Sequence, residues 1–540
     1  MHPQNLKGVD FFKRSLILVA IFFLTGLFIA TTGEAKKNAP EKILYIPHDN
    51  RPVVNEQTVE IAEKCGYQII VPPKEILGSR ENLGDPDKLW EWLKNNAKRD
   101  VRAAVISSDS MIYGSLVGSR KHDYDKEIIL QRAEQFRNFH KDHKNLAIYV
   151  FGSIMRTPRS GDASGQEEPD YYRSYGANIF RYTALRDKKD SASLTPREVK
   201  ELDFLQKLIP ERAISDWMGR REKNFAANEK LIDLTKEKDF DCLLLGRDDN
   251  APYSQTHFES RQLQKYGNRI NRTKYQTIAG IDEVGLMLIT RAINDRTKNS
   301  PQIFVEYNTG SGADTVPSYS DEPIDDSINA EILAVGAKRV NNPRKADFVL
   351  AVNTNPDGKT YEAAREINKI SRREGTEFFA DVVQKHIRAG HPVAVADIAF
   401  ANGADNALLE ELKNRGLLLS LHAYAGWNTA TNSTGFALST GILAKKFSSE
   451  DKQKILMTRY VDDWAYQANV RNQLQRINHK NFYGDLNENI YAASDQCASM
   501  ISSFVENKFS ISVAEENLRV EFPWNRLFES RITVKNPGGK

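Results

Sequence analysis

The sequence predicts an α/β fold of parallel strands with flanking helices, arranged as two α/β lobes, with a decorated (β/α)8-like barrel as the alternative. Three observations predict it. Short apolar runs rich in branched side chains recur from residue 43 onward, which suits strands buried on both faces of a sheet. Stretches with helical periodicity separate them, such as the face formed by Val54, Val59, Ile61 and Ala62. Polar and acidic residues gather directly after the runs, where parallel strands would end together.

The chain has 540 residues, of which 40% are hydrophobic and 27% charged, a globular mixture that excludes disordered, collagenous and polytopic membrane classes. A formal net charge of +3 gives no reason to expect a nucleic-acid partner. The N-terminus reads as an address. Lys13 and Arg14 precede the apolar run Leu16–Ala30, and Gly33 and Ala35 fit a cut before Lys36. Residues 1–35 are therefore expected to be a signal peptide, with an uncleaved membrane anchor as the alternative. Either way the protein is expected outside the cytoplasm: periplasmic, cell-surface or secreted. Cys65, Cys242 and Cys497 are far apart in apolar settings and read as buried free thiols.

Ten runs qualify as strands: Ile43–Ile46, Tyr67–Val71, Ala103–Ile106, Leu146–Phe151, Cys242–Leu245, Tyr275–Ala279, Ile303–Tyr307, Phe348–Val352, Val393–Ala396 and Leu417–Leu421. Ten is two too many for an eight-stranded barrel, which favours lobes at 41–297 and 301–446, joined near Asn299-Ser300-Pro301. The long gap after Phe151 reads as a helical insertion at about 152–240. Within it Thr195, Pro196 and Glu198 form a helix start, followed by an apolar face of Val199, Leu202, Leu205 and Leu208. The insertion suits a helical subdomain over the sheet ends, with a role as a lid, and its polar opening, Arg156 to Pro169, suits a mobile segment. Residues 449–540 read as a packing appendage. It holds helices at 449–480 and about 487–507, then strands Leu518–Phe522 and Ile532–Lys535, with Trp524 in its core.

Function is expected at the strand ends. Pro47-His48-Asp49-Asn50-Arg51, Ser107-Ser108-Asp109, Gly246-Arg247-Asp248-Asp249-Asn250 and Gly280-Ile281-Asp282-Glu283 each follow a strand, as do Asp314, Asp397 and Gly426-Trp427-Asn428-Thr429 with Asn432. An isolated Asp or Asn there is as readily a helix cap. The adjacent carboxylates Asp248 and Asp249 carry a repulsion that a cap does not need. Asp248 or Asp249, paired with Asp282 or Glu283, is expected to supply acid and base, or acid and nucleophile, as in glycoside hydrolysis. Asp49, Arg51, Asp109, Tyr253, Asp314, Trp427, Asn428 and Asn432 are expected to bind substrate, with Trp427 as either a stacking surface or core. Motifs for a nucleophile elbow, a phosphate loop or a dinucleotide fold are absent, and no histidine pattern suits zinc. No cofactor is expected. An oxygen cluster of Asp49, Asp109, Asp248 and Asp249 for Mg²⁺ or Ca²⁺ is the alternative.

Several motifs resemble the bacterial family known as domain of unknown function 4127. They are Ile46–Pro52, Pro72-Pro73-Lys74-Glu75, Asp248–Tyr253, Gly280–Gly285, Gly312–Thr315 and Tyr424–Thr429, and the likeness spans nearly the whole chain after residue 41. The resemblance implies no established activity. The leading expectation is an exported hydrolase acting on a glycan or a small-molecule substrate. An extracytoplasmic solute-binding protein and a metal-dependent hydrolase are the alternatives, and the membrane enters only through the N-terminal segment if that segment is uncleaved.

Overall fold

In the computed structural model, the residues described are 40–160, 167–370, 372–477, 490–509 and 518–534. The expected signal segment lies outside them, as do 161–166 of the insertion, 478–480, 487–489 and Lys535. Strands β1 (Lys42–Ile46), β2 (Gln68–Ile70), β3 (Val101–Ser107), β4 (Ala147–Ile154), β5 (Cys242–Arg247) and β6 (Tyr275–Ala279) form a six-stranded sheet in the order β2-β1-β3-β4-β5-β6. Every pairing in it is parallel. A second parallel sheet has the order β13-β11-β9-β7-β8. It is built from β7 (Gln302–Tyr307), β8 (Lys338–Arg339), β9 (Phe348–Asn353), β11 (Val393–Asp397) and β13 (Ala423–Ala425). The short strands β10 (Tyr361–Glu362) and β12 (Phe400–Ala401) pair beside it. The strands β5, β9 and β11 are buried along their whole length, as their unbroken apolar runs require.

The tenth strand differs from expectation. Leu418–Ser420 is a 3-10 turn, and the strand that pairs with β11 is Ala423–Ala425. Leu417, Leu418 and Leu421 are buried while Leu419 is 45% exposed, so the run serves the core without entering the ladder. An apolar run alone does not separate a buried turn from a buried strand. The helix Pro196–Leu208 does start at a Thr195–Glu198 capping box. Its expected apolar face is not covered, however: only Leu205 is buried, and Val199 and Leu208 are 46% and 44% exposed.

Two helices lie between the sheets. Val284–Thr297 packs on β3 and β4, and Ala430–Leu443, buried at all its residues, packs on β9, β11 and β13 and against the first helix. One apolar cluster therefore runs from β1 through both helices to β11. The described residues from 41 onward form a single compact unit. The C-terminal helix Ser449–Arg459 continues through a π-helical stretch, Tyr460–Val470, whose Asp463 accepts a bond from the Gly426 amide at 2.8 Å. Strands β14 (Leu518–Glu521) and β15 (Arg531–Val534) form an antiparallel pair. No helix among the described residues is long and apolar enough to cross a membrane.

The two central helices touch at Gly435. A Cβ there would sit 2.6 Å from Glu283 Cγ and 3.1 Å from Met287 Sδ. In a free helix Gly→Ala is worth about 1 kcal/mol of stabilisation. Here Gly435→Ala should instead lower stability by roughly 1–3 kcal/mol through overpacking, read as a lower denaturation midpoint. An unchanged or raised midpoint would show that the helices are not in contact there.

Candidate active site

The ends of β1 and β6 are joined by one arginine. Arg51 donates through Nε to both oxygens of Asp49 at 3.0 Å, and through its two terminal nitrogens to Asp282 at 2.6 and 3.1 Å. His48 Nε2 lies 3.0 Å from Asp282, and Asn428, from the loop after β13, donates to Asp282 at 3.0 Å. Burial alone would raise the Asp282 carboxyl, but the Arg51 guanidinium and His48 outweigh it and hold it well below the ordinary range. Asp282 is thus a fixed, saturated anion.

Asp248 and Asp249 leave the sheet beside Asp282 because the register pairs Arg247 with Ala279. Arg120, from the helix Leu116–Lys121, donates to Asp248 at 2.5 Å. Arg156, two residues past β4, donates to Asp249 at 2.9 Å. Burial, reinforced by the charge of Asp248, pushes the Asp249 carboxyl up to about 6, with Arg156 and Arg120 opposing. These two carboxylates sit at the mouth, where 15% and 28% of their side-chain surface stays open. Both guanidiniums also reach Glu167, as does Arg526 from the loop ahead of β15.

These groups line a narrow cleft of about 70 Å³. Its far wall is Tyr319, Asn402, Asn428 and Thr429 from loops of the second sheet, with Trp524, Arg526 and Phe528 from the C-terminal segment. Trp524 is both buried and on the lining. It lies beneath the Arg51 and Arg526 guanidiniums, 5.2 and 4.9 Å from its ring centre, and donates to Asn50 at 2.8 Å.

Backbone strain concentrates here. Among the described residues, seven other than glycine have positive φ, and Asp249 (41°), Tyr319 (65°), Asn402 (61°) and Asn428 (64°) all line the cleft. Such conformations cost of order 1–3 kcal/mol each and persist where surroundings over-determine them. Asn250 donates its amide to the Tyr319 carbonyl at 3.0 Å, and the Asn402 amide donates to the Asn428 carbonyl at 2.8 Å. The Tyr319 hydroxyl and the Asn402 amide group both donate to Glu362 at 2.8 Å.

Of the residues expected at the site, the fold brings Asp49, Arg51, Asp248, Asp249, Asp282 and Asn428 to the lining. It sets the others elsewhere. Glu283 is fully buried behind Asp282 and accepts from Asn432, which also caps the helix Ala430–Leu443. Asp109 lies under the floor, accepts the Ser153 amide at 2.8 Å, and is pushed by burial up to about 6. Trp427 is 5% exposed and packs on Phe528, so it is core. Tyr253 is 38% exposed against His257, and Asp314 is an exposed residue in the turn Gly312–Asp314, both off the lining. Among the described residues no group of three or more His, Cys, Asp or Glu is placed to hold a metal ion, so the Asp49, Asp109, Asp248 and Asp249 cluster does not assemble.

Sequence reasoning missed Arg120, Arg156, Glu167, Tyr319, Asn402 and Arg526. Arg156 stands two residues past a strand end and carried a readable signal. The others lie in helices and loops that only packing brings to the cleft. A larger groove, about 960 Å³, lies between the helices Glu211–Lys236 and Gln255–Tyr266. It holds none of the strand-end acids, and the strained backbone is absent from it, so the smaller cleft is the candidate site.

A family model described as "Protein of unknown function (DUF4127)" matches residues 43–533. No curated protein and no solved structure matches the chain.

Burial pushes the Glu283 carboxyl from 4.5 up to about 8, and the charge of Asp282 adds to it. Between those values the folded chain keeps a proton that the unfolded chain has released, so stability falls as pH rises through that window. Glu283→Gln should remove this slope. Its unfolding free energy should gain on wild type from pH 4.5 to 8, by at most about 1.4 kcal/mol per pH unit. Parallel curves for the two proteins would contradict the buried acid.

Proposed function

The chain belongs to the DUF4127 family, and we propose that it is an exported hydrolase that cleaves a glycosidic bond in this cleft. The observation that carries the reading is the Asp248–Asp249 pair at the mouth, each acid met by a different arginine on a strained turn. Asp249, raised to about 6, is the proton donor to the leaving oxygen. Asp248, against Arg120, is the second carboxylate, facing the positive charge that develops at the sugar carbon. Asp282 takes no proton. Its bonds to Arg51, His48 and Asn428 keep the β1, β6 and β13 loops in register beneath the reacting groups.

A solute-binding reading rests on the cleft being lined by loops of both sheets. Binding alone does not need an acid tuned near neutrality beside a second carboxylate, and the hydrolase reading accounts for both.

Asp249→Asn and Asp248→Asn should each lower glycan turnover by about 10²–10⁴-fold, while the unfolding midpoint falls only modestly because Asn keeps an oxygen acceptor and Arg120 and Arg156 keep Glu167 as an acidic partner. Release of reducing sugar should fall as pH rises through about 6, where Asp249 loses its proton. Full activity in both variants would remove the pair from catalysis, and ligand-induced closure without turnover would favour a binding protein. Export predicts a mature chain starting at Lys36, checked by the intact mass of protein recovered outside the cytoplasm.

A further inference from the structure

The cleft is smaller than a ligand site should be. Small-molecule pockets hold roughly 300–1,000 Å³, against about 70 Å³ here. Glu167 lines it, held among three guanidiniums. This residue comes from the segment ahead of the helix Tyr172–Ser191, and its side chain is 10% exposed. One carboxylate oxygen accepts from Arg120 at 2.8 Å and from Arg156 at 3.0 Å, and the other accepts from Arg526 at 2.5 Å.

Each of those arginines has a second acidic partner. Arg120 holds Asp248, Arg156 holds Asp249 and Glu168, and Arg526 holds Glu529 through Nε at 2.6 Å. The three guanidiniums would therefore keep their aim without Glu167, which makes them a preorganised carboxylate site. Arg120 bridges Glu167 to Asp248, and Arg156 bridges Glu167 to Asp249. Whatever occupies the Glu167 position thus lies one guanidinium away from each proposed catalytic acid.

We propose that Arg120, Arg156 and Arg526 bind the carboxylate of an acidic sugar, and that Glu167 is the internal occupant which that sugar displaces. The proposal rests on the hydrolase reading for its sugar and names the substrate class as uronate-containing glycan. Neutral glycans lack the group that would replace Glu167, and three buried guanidiniums left one anion short disfavour their entry.

The test is calorimetry on the full mature chain with D-glucuronate, D-glucose and acetate at matched ionic strength. Glu167→Gln keeps the shape of the side chain and removes its charge. It should bind glucuronate at least about tenfold tighter than wild type, a gain of ~1.4 kcal/mol, with no saturable binding of glucose. Adding Arg526→Gln to that variant should abolish the gain. Glucuronate binding that is no tighter in Glu167→Gln than in wild type would overturn the proposal, as would acetate binding as tightly as glucuronate. Wild type gives an arm free of any folding defect: weak, saturable glucuronate binding is expected at tens of millimolar, and its absence there overturns the proposal too. The readout needs no turnover. Binding that survives Asp249→Asn while the activity tests fail would leave the anion site standing and the hydrolase reading fallen. The reverse result would leave a hydrolase of neutral glycans.

Discussion

A guanidinium taken out of water must be met by carboxylates in fixed geometry, and this requirement organises the strand-end face of the first sheet. Arg51 is 7% exposed and spends its donors on Asp49, His48 and Asp282, so the loops after β1 and β6 cannot move independently. Arg120 and Arg156 do the same for the β5 loop and the entry to the insertion. Buried ion pairs add little net stability compared with apolar packing, yet removing one partner costs about 3–5 kcal/mol. Their effect here is positional: they set five carboxylates and four arginines in one narrow space.

That constraint explains why the strained turns are tolerated. Asp249, Tyr319, Asn402 and Asn428 hold left-handed backbone because they are tied through Arg156, Glu362, Asp282 and the main-chain bonds from Asn250 to Tyr319 and from Asn402 to Asn428. The price is met by the continuous apolar cluster under them, which runs from the first sheet through the helices Val284–Thr297 and Ala430–Leu443 into the second. The C-terminal segment is part of the same assembly. Trp524 and Arg526 close the wall of the cleft, and Asp463 holds the Gly426 amide ahead of Asn428.

The strand-end acids divide by what surrounds them. Asp397 looks like Asp248 in sequence, each following a buried run, but it accepts bonds from Asn353, Tyr424 and the Asp405 amide and is fully buried. It is a strut. Asp248 faces open space beside an arginine. The neighbouring Asp249 marks Asp248 in the sequence, but which distant loops arrive opposite each carboxylate is settled only by packing.

The alternation of strand and helix, the parallel sheets and the polar face at their ends are readable from the order of residues. Those depend on local periodicity and on the rule that crossover-linked strands run the same way. Asp248, Asp249, Asp282, Asp49, Arg51 and Asn428 were legible for that reason. Tertiary structure alone decided that Glu283 turns inward, that Trp427 is core, and that Arg120, Glu167, Tyr319 and Arg526 meet the strand ends. Those outcomes depend on contacts between residues up to several hundred positions apart, such as Arg526 with Glu167. Periodicity carries no information about which loop will face which, so only the packed chain resolves it.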